Sequence, residues 1–181
     1  MALTSEIVLS GTGGQGLILA GQILADAVIR DGKNTVQTQS YGPEARGGAS
    51  KAEVLISDGE IDYPKVTRPD ILLVMSREAL KKYAGSISEN GTLIIDSTHI
   101  PGQLPKGANI FAVPYTRIAK ENLGKEMFAN VVALGALAAI TGIVSKESLQ
   151  LALLSRIPPG SEALNKKALE LGWKSADQAA A

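Results

Sequence analysis

A chain of 181 residues, 45% hydrophobic and 20% charged, has the size and composition of one soluble domain with a sizeable core. Its 18 basic and 18 acidic residues cancel, which argues against a general affinity for nucleic acid or acidic membranes. With no cysteine and a single histidine, His99, it offers no disulfide, no thiolate nucleophile, no cysteine-held zinc or iron–sulfur cluster and no histidine-rich metal site.

The first apolar run, Ile7-Val8-Leu9, reads as a strand. It leads into Ser10-Gly11-Thr12-Gly13-Gly14-Gln15-Gly16, and Leu17 to Arg30 follows as an amphipathic helix. Gly11, Gly13 and Gly16 fit the G-x-G-x-x-G spacing in strand–turn–helix context. Glycine permits a tight turn and a close backbone approach, and a helix N-terminus offers free N–H groups to an anion. Gly13 is expected in a glycine-only conformation. Gln15 carries both a donor and an acceptor for a ligand or a partner chain. The bland alternative is that these glycines only permit the turn.

Asp31-Gly32 ends the helix, and Thr35 to Gln39 reads as the second strand. A dinucleotide enzyme places an acid for the ribose hydroxyls at the end of this strand. Here Val36-Gln37-Thr38-Gln39-Ser40 has none, and no arginine for a 2′-phosphate, so NAD(P) is disfavoured. Tyr41 to Ser50 reads as a loop containing Tyr41, Glu44, Arg46, Gly47 and Gly48. Arg46 is suited to a phosphate or carboxylate; the alternative is an internal Glu44–Arg46 pair. Both glycine-rich loops are expected at the carboxyl ends of their strands, where they would meet.

About ten residues separate strand two from strand three, Ala52 to Ser57, too few for a parallel crossover, so strand three is expected to be antiparallel. Asp58-Gly59 reads as a hairpin turn into Glu60-Ile61-Asp62-Tyr63. Asp70 to Met75 is an apolar strand, and Ser76 caps a helix from Arg77 to Tyr83. Asn90-Gly91 is a turn into Thr92 to Ile95, which ends at Asp96. His99 beyond it reads as a plain loop histidine. Asn109 to Val113 is a strand closed by Pro114, and Thr116 is the expected cap of a helix to Asn122.

The uncharged stretch Met127 to Val144 is too weak for a membrane span and reads as part of a buried helix, Lys125 to Thr141. Its small residues suit close packing on the sheet or a partner subunit. Ser145 caps Lys146 to Ser155, Pro158-Pro159-Gly160 breaks the chain, and Ser161 opens a last helix to Leu171. Trp173 is expected to anchor it, with a frayed tail after Ser175. The expectation is one domain over residues 1–181: α/β, a Rossmann-like three-layer sandwich with a mixed sheet including an antiparallel hairpin. Ala2 to Glu6 lacks the basic start of a secretion signal, so a cytoplasmic location is expected. A net charge of zero suits a chain that lives in a complex.

Gly11-Thr12-Gly13-Gly14-Gln15-Gly16 together with Ser40-Tyr41-Gly42-Pro43-Glu44-Ala45-Arg46-Gly47-Gly48 resembles the gamma subunit of 2-oxoacid:ferredoxin oxidoreductases. The resemblance runs through Ile56-Ser57-Asp58-Gly59-Glu60-Ile61, Tyr63-Pro64 and Arg68-Pro69-Asp70, covering roughly Ile7 to Asp96. The Ser-Tyr-Gly-Pro-Glu form looks most like the 2-oxoglutarate type. The resemblance implies an enzyme that decarboxylates a 2-oxoacid on thiamine diphosphate with Mg2+. Iron–sulfur clusters then carry the electrons to ferredoxin, and the acyl group leaves on coenzyme A. It implies alpha and beta subunits and a ferredoxin-like iron–sulfur delta subunit as partners. This chain would bind no cofactor alone, lacking both cysteine and the Gly-Asp-Gly signature of thiamine enzymes, and would be inactive alone. The two glycine-rich loops would border the coenzyme A channel or a subunit contact. The isolated chain would be able to form a homodimer. The rival readings are a free-standing Rossmann-like nucleotide-binding reductase or sensor, and a pure assembly scaffold.

Overall fold

The computed structural model describes residues 4–40, 48–99 and 104–179. Six strands form one sheet: β1 (Thr4–Thr12), β2 (Asn34–Ser40), β3 (Ala49–Ser57), β4 (Ile71–Val74), β5 (Thr92–Asp96) and β6 (Asn109–Val113). Their spatial order is β2-β3-β1-β4-β5-β6. β1, β4, β5 and β6 run parallel, and β3 is antiparallel to both β1 and β2. The helices are α1 (Leu17–Arg30), α2 (Arg77–Tyr83), α3 (Tyr115–Leu123), α4 (Ala129–Thr141), α5 (Lys146–Leu154) and α6 (Glu162–Ser175).

The central strands β1, β4 and β5 are buried on both faces, and alternation sorts their side chains between two cores. Ile7 and Leu9 of β1, Ile71 and Leu73 of β4 and Ile94 of β5 join the larger core with α1, α4, α5 and α6. Val8, Leu72, Val74, Leu93 and Ile95 face the other way, into a smaller core with Ala79 of α2. The sandwich has three layers, but the α2 side is thin.

The antiparallel arrangement of β3 agrees with the short connection before it. The hairpin expected at Asp58-Gly59 is not there: residues 58–63 contain no strand. The antiparallel pair is β2 with β3, joined across residues 41–48. The reason lies in the ends of the turn. Asn34 donates to the Gly59 carbonyl at 2.9 Å and the Ser57 hydroxyl accepts from the Gly59 N–H at 3.1 Å, so the chain folds back on β2 instead of pairing.

Three boundaries also differ. Thr116 does not cap α3: it lies inside the helix, and its N–H and hydroxyl donate to Asp96 at 3.3 and 2.6 Å. The stretch before α4 is a 3-10 turn, Glu126–Phe128. The tail does not fray at Ser175. It continues as a 3-10 turn to Gln178, and Ala179 is buried, its carbonyl accepting from the Ala112 N–H at 2.9 Å. That bond takes up one N–H on the outer edge of β6. Ser76 and Ser145 cap α2 and α5 as expected, accepting from Ala79 and Ser148. Ser161 makes no cap bond.

α4 is buried almost all round, with every residue from Ala129 to Ala138 inside. The small-residue packing expected of it is against α6 of the same chain. A Cβ on Gly172 would run into the Val132 carbonyl oxygen, and one on Gly135 into that of Leu169. Trp173 packs half-buried on the larger core, with the Lys146 ammonium 5.3 Å from its ring centre. Among the described residues, no helix is long and apolar enough to cross a membrane.

Candidate functional site

The carboxyl ends of β1, β4 and β5 point to one edge of the sheet, and a cleft opens there. Two adjoining hollows of about 200 and 370 Å³ share Gln15, Met75 and His99. Gly14, Thr116, Glu126, Met127 and Ala129 complete the inner one, and Thr12, Ser76, Arg77, Glu78 and Thr98 the outer one. This is the crevice where open α/β sheets hold ligands.

The five positions singled out around the glycine turn separate into two roles. β1 runs on through Gly11 and Thr12, further than the apolar run indicates. Gly11 is buried, and a Cβ there would meet the Gln15 amide oxygen, with Leu17 Cδ1 at 3.1 Å and Met75 Cβ at 3.2 Å. Gly16 takes the left-handed conformation at the start of α1 (φ 71°), pressed against Asn130, whose amide donates to the Gly16 carbonyl at 3.3 Å. Gly11 and Gly16 therefore hold the turn by packing. Gly13 and Gly14 are exposed, with nothing within 4 Å of a Cβ at either. Gly14, at φ 89°, needs glycine; Gly13 has no positive φ, so its expected glycine-only conformation is not found.

Gln15 uses both ends of its amide inside the protein. Its oxygen accepts from the Thr12 N–H at 2.7 Å, and its nitrogen donates to the Met75 carbonyl at 3.2 Å. It clips the β1 turn to the end of β4, which fixes the cleft floor. Of the second loop, Tyr41, Glu44, Arg46 and Gly47 lie outside the described residues. Gly48 is half-buried and immediately precedes Ala49, which pairs with Thr12. The register thus brings Gly48 to the same edge as Gly13.

Three helix N-termini converge on this edge, and their first turns are satisfied differently. Ser76 caps α2. Fully buried Asp96 fills the start of α3, accepting from Thr116, while the Thr98 hydroxyl accepts from the Arg117 N–H at 3.2 Å. A buried carboxylate at a helix N-terminus is stabilised by the unpaired N–H groups and the helix dipole. α1 has no side-chain cap and no acid in its first turn. Among the described residues no side-chain oxygen accepts from that turn, which lies beside the open Gly13-Gly14 ledge.

His99 lies in a loop, as expected, and lines both hollows, its carbonyl accepting from Arg77 Nε at 2.8 Å. Met127 stands on the rim, 71% exposed. Sequence reasoning passed over Asn130, Met75, Thr116 and Met127 as site residues. Only Asn130 carried a usable signal, a polar side chain at the head of an apolar helix. Tyr115, next to the cleft wall, is fully buried with no hydrogen-bond partner for its hydroxyl. Burial, and then the Asp96 charge, push its ionisation well above the usual phenol value.

Residues 6–175 match the family model described as pyruvate ferredoxin/flavodoxin oxidoreductase. The chain is 48% identical to the 2-oxoglutarate synthase subunit KorC of Methanocaldococcus jannaschii, over 97% of this chain and 96% of that one. It superposes on the gamma subunit of a keto/oxoacid ferredoxin oxidoreductase from Geobacter sulfurreducens with a TM-score of 0.91 and 48% identity, covering 99% of this chain and 100% of that one. The same fold recurs, at 24% identity and a TM-score of 0.87, in a 2-oxoglutarate:ferredoxin oxidoreductase from Magnetococcus marinus with 2-oxoglutarate, coenzyme A and succinyl-CoA bound. There it matches 97% of this chain but 31% of the longer one.

Proposed function

The chain belongs to the pyruvate ferredoxin/flavodoxin oxidoreductase family, and we propose that its cleft borders the coenzyme A path of a 2-oxoglutarate:ferredoxin oxidoreductase. It is the gamma-type subunit of such an oxidoreductase complex. A free-standing nucleotide binder is not favoured, because its full-length relatives are subunits.

One observation carries the coenzyme A reading. At an edge where α2 and α3 have their first turns filled from within, α1 leaves its own open beside a ledge without side chains. That is a seat for an anion, and coenzyme A is rich in phosphate. The two hollows are small beside the whole of coenzyme A, so another subunit completes the channel over the exposed Met127 rim. Arg46, from the second loop, is assigned to the same phosphates or to a partner carboxylate. Gln15 and Asp96 act at one remove, holding the turn and the cleft wall.

Thiamine diphosphate, which with Mg2+ would supply the carbanion chemistry, and the iron–sulfur clusters are assigned to the other chains. This one has no cysteine, and among the described residues no three His, Asp or Glu side chains group to hold a metal. The remaining partners are alpha and beta subunits, an iron–sulfur delta subunit and ferredoxin, in the cytoplasm.

The test uses the assembled enzyme in a coenzyme A-dependent viologen-reduction assay with 2-oxoglutarate. Gly13→Val fits its backbone and its open surroundings, so it should assemble, yet it fills the ledge. The expected result for Gly13→Val and for Arg46→Ala is about a tenfold rise in KM for coenzyme A, with KM for the 2-oxoacid unchanged. Unchanged coenzyme A kinetics in both variants would refute the cleft assignment. Faster turnover with pyruvate would refute the substrate.

A further inference from the structure

The two outer edges of the sheet are treated differently. At β6 the C-terminal segment engages the edge at one point, the Ala112–Ala179 bond. At β2 nothing among the described residues pairs with the outer side: β2 is the terminal strand, and its backbone bonds go to β3 alone. One side chain reaches that backbone, the Gln37 amide donating to the neighbouring Thr38 carbonyl at 3.2 Å. Proteins usually blunt such an edge with charges, proline or a bulge. Asn34-Thr35-Val36-Gln37-Thr38-Gln39-Ser40 has no charged residue and no proline, and pairs with β3 in unbroken register. Glu60, Ile61 and Asp62 share a hollow with Asn34, Thr35 and Val36, so the clear run is Gln37 to Ser40, roughly 14 Å at about 3.4 Å per residue.

A helix flank stands over this edge. Ile18, Gln22, Ala25 and Ile29, spaced by four, three and four, fall on one side of α1. The other side of the helix faces α5, where Asp26 accepts from the Ser155 hydroxyl at 3.1 Å and meets Arg156. Gly21 lies between the buried face and the Ile18–Ile29 stripe, and its missing side chain is what lets α1 rest on Ala52 and Gln37. The stripe is therefore on the β2 side. Ala25 is buried and Ile18 half-buried, but Ile29 is 61% exposed, a large apolar side chain left in water above an unpaired strand.

We propose that the outer edge of β2, with the Ile18–Ile29 flank of α1, is the interface for a second copy of this chain. A two-fold axis sets the β2 strands antiparallel, so that each copy gives the other the same row of N–H and carbonyl groups. The strand suits itself because it has no charge: self-pairing sets no like charges opposite one another. The same axis brings the two α1 flanks together and covers Ile29. A whole-chain net charge of zero adds no long-range repulsion between copies. The cleft lies at the carboxyl edge of β1, β4 and β5, so this pairing leaves it free and joins two complexes through their gamma-type subunits.

The purified full chain is examined by sedimentation and native mass measurement at micromolar concentrations, with amide exchange over Thr35–Gln39. A dimer is expected, with β2 amides that lose protection on dilution. Ile29→Lys and Gln39→Lys change exposed residues outside the cleft and should each weaken dimerisation about tenfold or more. A monomer at every concentration, a dimer indifferent to both variants, or a dimer with freely exchanging β2 amides overturns the proposal. Protection of β2 that appears only on adding the other subunits also overturns it, and gives the edge to a strand of another subunit.

Discussion

Replacing Gly172 by Ala tests the α4–α6 contact that holds the cleft's rear wall. Two effects oppose one another. Alanine favours a helix interior over glycine by about 1 kcal/mol. Against that, the new Cβ would overlap the Val132 carbonyl oxygen, with Val132 C at 2.8 Å and Ala136 N at 3.0 Å. All three are backbone atoms of a buried helix, so none can rotate away, and the helices must separate. Overpacking of this kind costs about 1–3 kcal/mol and more where backbone must move. The clash wins, leaving a net loss of roughly 2 kcal/mol. For a domain of this size that is a fall in Tm of about 4–8 °C. Gly135→Ala meets the Leu169 carbonyl across the same interface, and once the helices part the second clash is partly relieved. The double variant should therefore lose less than the sum of the single losses. Urea titration of the purified chain measures all three, with Gly85→Ala as control, since Gly85 has open space around it and no positive φ. A stabilised Gly172→Ala, or a double variant losing more than the sum, would refute the close backbone contact.

Asp96→Asn keeps the shape but removes a charge and one acceptor from three donors, so unfolding free energy should fall by about 2 kcal/mol. Tyr115→Phe deletes a buried hydroxyl without a partner; stability should hold or rise, and a loss above about 1 kcal/mol would show a missed hydrogen bond. Burial pushes the Asp31 carboxyl up, but hydrogen bonds from Ser148 and Ser145 and the Lys33 charge outweigh it, so it titrates below its ordinary 3.8. The hydrogen bond and charge of Lys146, helped by Lys174, hold Glu170 below 4.5 despite some burial. Both folded values are depressed, so their stabilisation is present above the ordinary values and is lost as the pH falls through the folded ones. Urea midpoints should drop below about pH 4.5, and less steeply in Asp31→Asn and Glu170→Gln, because Asp31 ties the end of α1 to Ser145 and Glu170 ties α6 to Lys146 of α5.

Much was legible in the sequence because it is local. The periods of two and 3.6, the caps at Ser76 and Ser145, and a connection too short for a parallel crossover are read along the chain. They follow from backbone geometry within a few residues. So are the composition and the paired glycine-rich segments that mark the family. The glycine fingerprint alone does not say which glycines face a ligand. Gly16 is pressed by Asn130, 114 residues away, and Gly11 by Met75 as well as by the nearby Gln15 and Leu17. Thr116 looked like a cap because it precedes a helical pattern, yet the cap is Asp96, 20 residues earlier. The hairpin failed, the C-terminal tail docked, and β2 was left as an open edge for the same reason. Turn chemistry states what a segment can do alone, whereas pairing and burial depend on which distant segments arrive beside it. The sequence by itself determined most of the elements, the family and a glycine turn at the head of α1. Tertiary structure decided that only Gly13 and Gly14 of that turn stand open, since close packing from remote parts of the chain fills the space around the others.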